Sequence, residues 1–252
     1  MRWTGPLESA ALLTVLRVPG RAAREVRGVL PWAPLVGLVL GGMATGVGVL
    51  GARWAAPLVG AVLAVAVLAV LTRGLHLDGL ADTADGLGPL RGRERALEVM
   101  HQSDIGPFGV VTLVLTLLLQ VACLAVLLPS GWPAVWAAVL AARLAMARTG
   151  LPRTPMAAGS ALGRAVAGTV SPAWLAGCAV VTVVLVGAAG WLTGGPAGAA
   201  HLVGAAAAGL AAAELLRARA TARLGGLTGD VMGAMAEVAT ATALLVAAVT
   251  PG

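Results

Sequence analysis

Seven long apolar stretches constrain the fold of this sequence more than any other feature. Each approaches the roughly 20 residues that a helix needs to cross a bilayer. They lie near residues 32–51, 55–72, 108–128, 132–149, 173–193, 196–215 and 231–250. The chain is only 11% charged, whereas about a quarter of the residues in soluble domains are charged. Continuous apolar runs also differ from the alternating segments of a β-barrel. The sequence therefore predicts an all-α, polytopic integral membrane protein of about seven transmembrane helices, with residues 1–252 forming one membrane-embedded catalytic domain.

The arginines predict how these helices are oriented. All 17 basic residues are Arg, and their numbers before, between and after the seven spans are 5, 1, 4, 0, 4, 0, 3 and 0. Cytoplasmic loops are enriched in Arg, so this alternation predicts a cytoplasmic N-terminus, a C-terminus outside and an odd number of spans. The net charge of +6 is then a topology signal rather than a nucleic-acid surface. All eleven acidic residues fall on or near the predicted cytoplasmic side, so we expect the chemistry to face the cytoplasm from the cell (inner) membrane.

The N-terminal run and the cysteines add little about function. The run "AALLTVL" is short, lies between Glu8 and Arg17 and has no cleavage site, so it predicts a short amphipathic or membrane-surface helix rather than a signal peptide. Cys123 and Cys178 lie within apolar runs, which is typical of small buried residues. They allow no inference about a disulfide.

The stretch "HLDGLADTADGLG", residues 76–88, places three aspartates in an otherwise apolar chain. On a helix of 3.6 residues per turn, Asp78, Asp82 and Asp85 share an arc of about 60°. Gly79 and Gly86, with two alanines, flank this stripe and are expected to leave room for a large ligand. Like charges at this spacing repel one another, and a divalent cation such as Mg²⁺ or Mn²⁺ would offset the repulsion. The alternative is a solvated acidic helix face in a cytoplasmic loop.

A second acidic motif, "GGLTGDVMGAMAE", begins the last span. Asp230 and Glu237 are seven residues apart and therefore lie on one helical face, about 20° from each other. Glu237 is expected about two turns inside the apolar segment, where an ionisable residue is a functional candidate. The alternative is a structural pairing of Glu237 with an Arg of another helix.

Four further residues give weaker signals, each with two readings. Asp104 precedes a Gly-Pro turn and is either the N-cap of the following span or a further ligand. Arg143, inside "LAARLAMA", is either a topology charge or a phosphate clamp. His76 and His101 are candidate ligands, although a lone His is more often a hydrogen-bonded structural residue.

These motifs together resemble a known family. The segments "LHLDGLADTADGL", "RERALEVM", "DIGPFGVVTL" and "RLGGLTGDVMGAMAE" are similar to the cobalamin synthases, the adenosylcobinamide-GDP ribazoletransferases. The similarity runs along nearly the whole chain in the same order. It implies an inner-membrane enzyme that joins adenosylcobinamide-GDP to α-ribazole, or its 5′-phosphate, and releases GMP in a Mg²⁺-dependent step late in cobalamin biosynthesis.

The resemblance also implies roles for individual residues. The implied metal and phosphate ligands are Asp78, Asp82, Asp85, Asp230 and Glu237. Displacement of GMP from a diphosphate requires charge stabilisation and a group that accepts the proton of the attacking hydroxyl. We expect Asp82 and Asp85 to be the catalytic carboxylates, and the expected substrate contacts are Arg17, Arg143 and Asp104.

We further expect the two acidic motifs to meet in one cytoplasm-facing cavity. Five carboxylates there would carry a formal charge of −5, which requires compensation by one or two Mg²⁺ and by arginines. The expected partners are the two substrates and the lipid bilayer, with no nucleic acid, and an oligomer is left open.

Two other functions share part of this pattern. A membrane prenyltransferase also binds Mg²⁺-diphosphate on aspartate-rich helices, although the "TGDxxGAxxE" segment argues against it. A cation transporter also carries carboxylates within the membrane, but it would be expected to place them near the midplane rather than at the cytoplasmic edge.

Overall fold

The computed structural model describes residues 4–18, 20, 24–88, 90–130 and 132–249. Within these ranges the chain is helical, and the one β-type pairing is an isolated bridge between Met156 and Leu227, so the all-α prediction is confirmed. In chain order the helices are α1 (Gly5–Leu13), α2 (Val29–Trp54), α3 (Pro57–Leu71), α4 (Leu75–Leu87), α5 (Arg93–Met100), α6 (Pro107–Ser130), α7 (Pro133–Thr149), α8 (Ala161–Val166), α9 (Pro172–Leu224) and α10 (Gly229–Val249).

Several of these helices are long and apolar enough to cross a membrane. By length and composition, the described residues contain four candidate spans, Val29–Trp54, Pro107–Pro129, Pro172–Leu224 and Gly229–Val249. A fifth is added if α3 and α4, which are bent by 89° relative to each other, form one broken span. Every segment predicted to span is helical where it is described, but α3 has only 15 residues and α7 only 17. The multi-span membrane fold is confirmed, and the count of seven stays a prediction.

Glycines allow two tight helical hairpins. A straight helix of the 53 residues of α9 would be about 80 Å long, far more than the roughly 30 Å of a bilayer core. The backbone leaves helical geometry at Gly194 and Gly195, before Pro196, and the two arms pack where Gly190 contacts Gly198. The short link between the first two predicted spans forms the second hairpin, in which α2 and α3 meet through glycine backbones such as that of Gly60.

A sharp bend sets the direction of α4. Arg73 (φ 56°) and Gly74 (φ 67°) both adopt left-handed backbone conformations, which end α3 and start α4 at a steep angle. The Arg73 guanidinium donates to the carbonyl of Leu12 (2.8 Å), and the Val15 amide donates to the carbonyl of Leu71 (2.8 Å). The bend is therefore tied to the short N-terminal helix, which contains the first half of the run predicted to be helical and ends at Leu13.

Helix α10 lies at the centre of the fold. It packs against α4, α6, α7 and α9, and two-thirds of its most apolar window is buried. Its start is fixed by the loop before it, where the Leu227 amide donates to Pro155 (2.9 Å) and the Ala157 amide donates to Leu227 (3.0 Å). The "GGLTGD" segment thus pairs with the loop that follows α7, and both lie at the end of the molecule where α4 begins.

Candidate active site

The aspartate stripe lies on α4 and is buried progressively along the helix. Asp78 is exposed, Asp82 is half-buried and Asp85 is only 6% exposed. The opposite face is buried against the protein: His76, Leu80, Thr83 and Leu87. The predicted helix over residues 76–88 and the division of its two faces are therefore confirmed.

Asp85 has a partner that the sequence did not indicate. One of its carboxylate oxygens accepts the amide of Gly106 (2.8 Å), and the other accepts the amide of Gly109 (2.9 Å). These amides belong to the N-terminus of α6, whose unsatisfied N–H groups and positive dipole end favour a carboxylate. The sequence suggested Asp104 as the N-cap of α6, but Asp85 is the residue that caps this helix. Asp104 is exposed, and its alternative role as a ligand stays a prediction.

The glycines beside the stripe do not leave room for a ligand, so that interpretation was wrong. A Cβ atom on Gly79 would lie 2.6 Å from the carbonyl oxygen of Asp230 on α10. A Cβ atom on Gly86 would lie 2.6 Å from the side chain of Met100 on α5. Neighbouring helices thus fill the space next to α4, and glycine is required at position 79, where the neighbour is backbone.

The close approach of α4 and α10 forms an acidic cluster, which we define as Asp78, Asp82 and Asp230. The groups that act electrostatically on Asp82 are Asp78, Asp230, Asp85 and the imidazole of His101. His101 also acts on Asp230, while its Nδ1 is 2.6 Å from the carbonyl oxygen of Leu97. The start of the second acidic motif therefore packs against the first at Gly79, while joint binding of a cation by their carboxylates stays a prediction.

Glu237 lies apart from the acidic cluster. Its carboxylate accepts a hydrogen bond from the Nε2 of Gln120 on α6 (2.9 Å), and it interacts electrostatically with Arg143 on α7. It lines a small internal cavity that none of the aspartates lines. The arrangement thus differs from the predicted single cavity, because two turns of α10 carry Glu237 away from Asp230 into the helix packing.

The predicted substrate-binding arginines occupy contrasting positions. Arg143 is only 4% exposed and lines the same cavity as Glu237, which measures about 20 Å³ and is too small for a phosphate group. It acts electrostatically on Glu237, but among the described residues no ion pair within 4 Å joins the two, and its Nη1 donates to the Met146 sulfur (3.7 Å). The structural pairing considered for Glu237 therefore stays a prediction. Arg17 is exposed just beyond α1, and its contact with substrate stays a prediction.

Comparisons with known proteins agree with this architecture. The family described as cobalamin-5-phosphate synthase matches residues 6–248. An adenosylcobinamide-GDP ribazoletransferase from Frankia casuarinae is 41% identical over 95% of this chain and 92% of its own length. Proteins of the same name from Roseiflexus sp. (37% identical; 96% and 90% covered) and Brevibacillus brevis (32% identical; 95% and 96% covered) also align along the chain. The chain belongs to the cobalamin-5-phosphate synthase family. No solved structure matches the chain significantly.

The family resemblance inferred from the motifs is therefore confirmed. The matched residues 6–248 of this cobalamin-5-phosphate synthase family member include all of the acidic cluster, His101, Gln120 and Arg143. Gln120 was not predicted, although a lone amide inside an apolar membrane span is a detectable signal. The capping role of Asp85 was not predicted either, because its partners Gly106 and Gly109 are more than 20 residues away in sequence.

Proposed function

We propose that this protein transfers the adenosylcobinamide phosphate moiety of adenosylcobinamide-GDP to α-ribazole, or to α-ribazole 5′-phosphate, and releases GMP. Relatives named for this reaction align over at least 90% of both chains. The acidic cluster is the observation that carries the proposal. Its carboxylates, on α4 and α10, concentrate negative charge, and a cation bound there would stabilise the charge of the transferring phosphate.

Mg²⁺ is the cation that fits this donor set best. Among the described residues, no three His, Cys, Asp or Glu side chains lie close enough to form a protein-only metal cage. Mg²⁺ rarely uses such a cage, since it is usually held by one or two carboxylates together with water and substrate phosphates. In the part of the chain that the structure describes, the groups acting on Asp82 are three carboxylates and one imidazole and include no arginine, so the negative charge there calls for an external cation. One or two of Asp78, Asp82 and Asp230, together with water and substrate phosphates, would hold it, and it would neutralise charge on the diphosphate.

The residues of the cluster divide the remaining work. A ribose hydroxyl of the acceptor attacks the phosphorus attached to the cobinamide, the new O–P bond forms, and the P–O bond to GMP breaks. Asp82 is half-buried and unengaged by backbone amides, and we assign it the proton of that hydroxyl. Asp85 already accepts two amides, so we assign it to the anchoring of α6 rather than to proton transfer. His101 acts electrostatically on Asp82 and Asp230, and we assign it to binding of the phosphate.

We place the enzyme in the plasma membrane with the acidic cluster facing the cytoplasm. The support is the Arg alternation along the sequence, together with contacts between Arg-bearing segments at one end of the fold. Arg223 donates to the carbonyl of Arg91 (3.3 Å), and Arg73 donates to Leu12. The nucleotide-activated substrate would then reach the site from the cytoplasm.

The test is GMP release by the purified protein in detergent. With adenosylcobinamide-GDP, α-ribazole and Mg²⁺, the wild type should release GMP, and Asp82→Asn should lose about 10²–10⁴-fold in kcat because it removes a general base and a cation ligand. Glu98→Gln is the matched control, because Glu98 is an exposed acid on α5 that pairs with the exposed Arg95. It should retain wild-type activity.

The same assay separates the rival functions. A prenyltransferase would consume a prenyl diphosphate and release pyrophosphate, whereas a transporter would move cations across proteoliposomes without consuming the corrinoid. Wild-type protein that binds Mg²⁺ but releases no GMP from the corrinoid substrate would rule out the proposed reaction.

A further inference from the structure

A small polar cavity lies beside the acidic cluster, within the helix packing. It is bounded by α3, α4, α6, α7 and α10, and its polar lining consists of Thr72, His76, Gln120, Arg143, Glu237 and Thr240. Its volume of about 20 Å³ exceeds the 10–15 Å³ that one water requires. Most of its other lining is aliphatic.

Two nitrogen atoms in this lining lack a hydrogen-bond partner among the described residues. They are Nε2 of His76 and Nε of Arg143, and these residues are only 1% and 4% exposed. Buried side-chain polar atoms are nearly always paired with protein or with an ordered water. Both residues line the cavity, so a group within it could satisfy both atoms.

The charges of the lining limit what that group can be. Arg143 supplies one positive charge and Glu237 one negative charge, and each acts electrostatically on the other. Glu237 is held further by Gln120. The pair is neutral, so neither a cation nor an anion is needed, and an oxyanion such as phosphate is too large. A water fits, because it can accept from the Arg143 Nε–H and can donate to or accept from His76, whichever tautomer is present.

We propose that this cavity binds one ordered water bridging His76 and Arg143, and that the resulting network with Glu237 and Gln120 holds α4 in position. His76 lies two residues before Asp78 on α4, while its partners lie on α6, α7 and α10. The network therefore joins the helices that bring Asp82 and Asp230 together. Glu237, Gln120 and Arg143 are positioning residues for the acidic cluster and do not ligate its cation. The activity readout below rests on the proposed function, whereas the stability readout does not.

The first test is a double-mutant cycle on thermal unfolding in detergent. Glu237→Gln and Arg143→Met each leave one buried charge without its counter-charge, so each should lower Tm by on the order of 10 °C. The double variant should lose clearly less than the sum of the two. The control cycle uses the exposed pair Arg95 and Glu98 (2.9 Å), which should show almost no coupling. Additive losses at Arg143 and Glu237 would overturn the network.

The second test separates positioning from cation binding. Glu237→Gln and Gln120→Leu should reduce kcat while leaving the Mg²⁺ concentration for half-maximal GMP release within about twofold of wild type. Asp78→Asn, in the acidic cluster, should raise that concentration at least about tenfold. A similar rise for Glu237→Gln would make Glu237 a cation ligand and overturn its assignment.

If Arg143→Met does not fold, Arg143→Lys is the second variant, because it keeps the charge and should recover part of the stability. If Arg143→Lys recovers none of the stability, the pairing of Arg143 with Glu237 is contradicted.

The water itself is tested by a high-resolution structure of the wild-type protein. Density for a single atom within 2.7–3.2 Å of both His76 Nε2 and Arg143 Nε is the expected result. An empty or collapsed cavity would overturn the proposal. If the wild type releases no GMP but the Tm changes of the Arg143 and Glu237 variants are still non-additive, the proposed function is overturned and the network stands.

Discussion

Two aspartates one helical turn apart illustrate how surroundings divide the work of identical side chains. Asp82 lies among other carboxylates and His101, and the like charges of those carboxylates repel its own. Asp85 faces the start of α6, so its charge is satisfied by two amides. From the sequence, both residues were expected to be catalytic and to bind the metal. Spacing along one helix predicts which face a residue lies on, but it does not predict which element packs against that face.

Asp85→Asn should destabilise the protein. An Asn side chain can accept from only one of the two amides through its single oxygen, and its NH₂ group faces the other donor. A buried unsatisfied donor costs about 1–3 kcal/mol, which corresponds to a Tm decrease of roughly 2–12 °C for a chain of this size. The Mg²⁺ concentration for half-maximal activity should stay near that of wild type. Unchanged stability with a raised Mg²⁺ requirement would instead make Asp85 a ligand.

Asp82→Asn should have the opposite profile. Removal of one like charge from the cluster relieves repulsion, so Tm without Mg²⁺ should be equal to or slightly above that of wild type. The stabilisation that added Mg²⁺ gives the wild type should be largely lost, since a ligand that binds the folded form stabilises it by mass action. Thermal-shift measurements with and without Mg²⁺ check both points. A large loss of Tm without Mg²⁺ would mean that Asp82 is structural.

At the scale of the elements, the contact between α4 and α10 brings the two motifs together. Sequence periodicity predicted both helices and the break near Gly195, since those signals are local. It did not predict which helix packs against Gly79. A glycine beside an acidic stripe has the same local sequence whether a ligand or another backbone occupies the space, and only the tertiary packing distinguishes them.

Gly79→Ala should separate α4 from α10. The new Cβ atom would lie 2.6 Å from the carbonyl oxygen of Asp230 and 2.9 Å from its Cα, and a backbone cannot yield as a flexible side chain does. Overpacking of this kind costs about 1–3 kcal/mol, and GMP release should fall because Asp82 and Asp230 move apart. Gly42→Ala in α2 is the matched control, because its Cβ atom would meet nothing within 4 Å. Equal activity and Tm in both variants would contradict the close approach.

At the scale of the whole molecule, the Arg-bearing segments meet at one end. Arg148 at the end of α7 lies 3.4 Å from Glu214 in the second arm of α9, which also pairs with Arg217 (2.6 Å). The sequence predicted this common side from Arg counts alone, because the rule depends on charge and not on packing. The number of crossings is harder to predict, since α3 and α7 are shorter than a typical span while α9 is folded into two arms.

Reporter fusions distinguish the alternative span counts. Seven spans with a cytoplasmic N-terminus place residue 159 in the cytoplasm and residues 195 and 252 outside. Because the two arms of α9 pack against each other, α9 crosses twice in each alternative. Six spans, with α7 not crossing, would move residue 159 outside and return residue 252 to the cytoplasm. Five spans, with neither α3 nor α7 crossing, would leave residues 159 and 252 where seven spans place them but would move residue 90 outside. We therefore expect a reporter that is active only in the cytoplasm to be active at residues 90 and 159 and inactive at residues 195 and 252, with the reverse pattern for a reporter that is active only outside. Because α7 carries the buried Arg143, the result at residue 159 also decides whether the Arg143–Glu237 pair lies within the bilayer, where leaving either charge unpaired is most expensive.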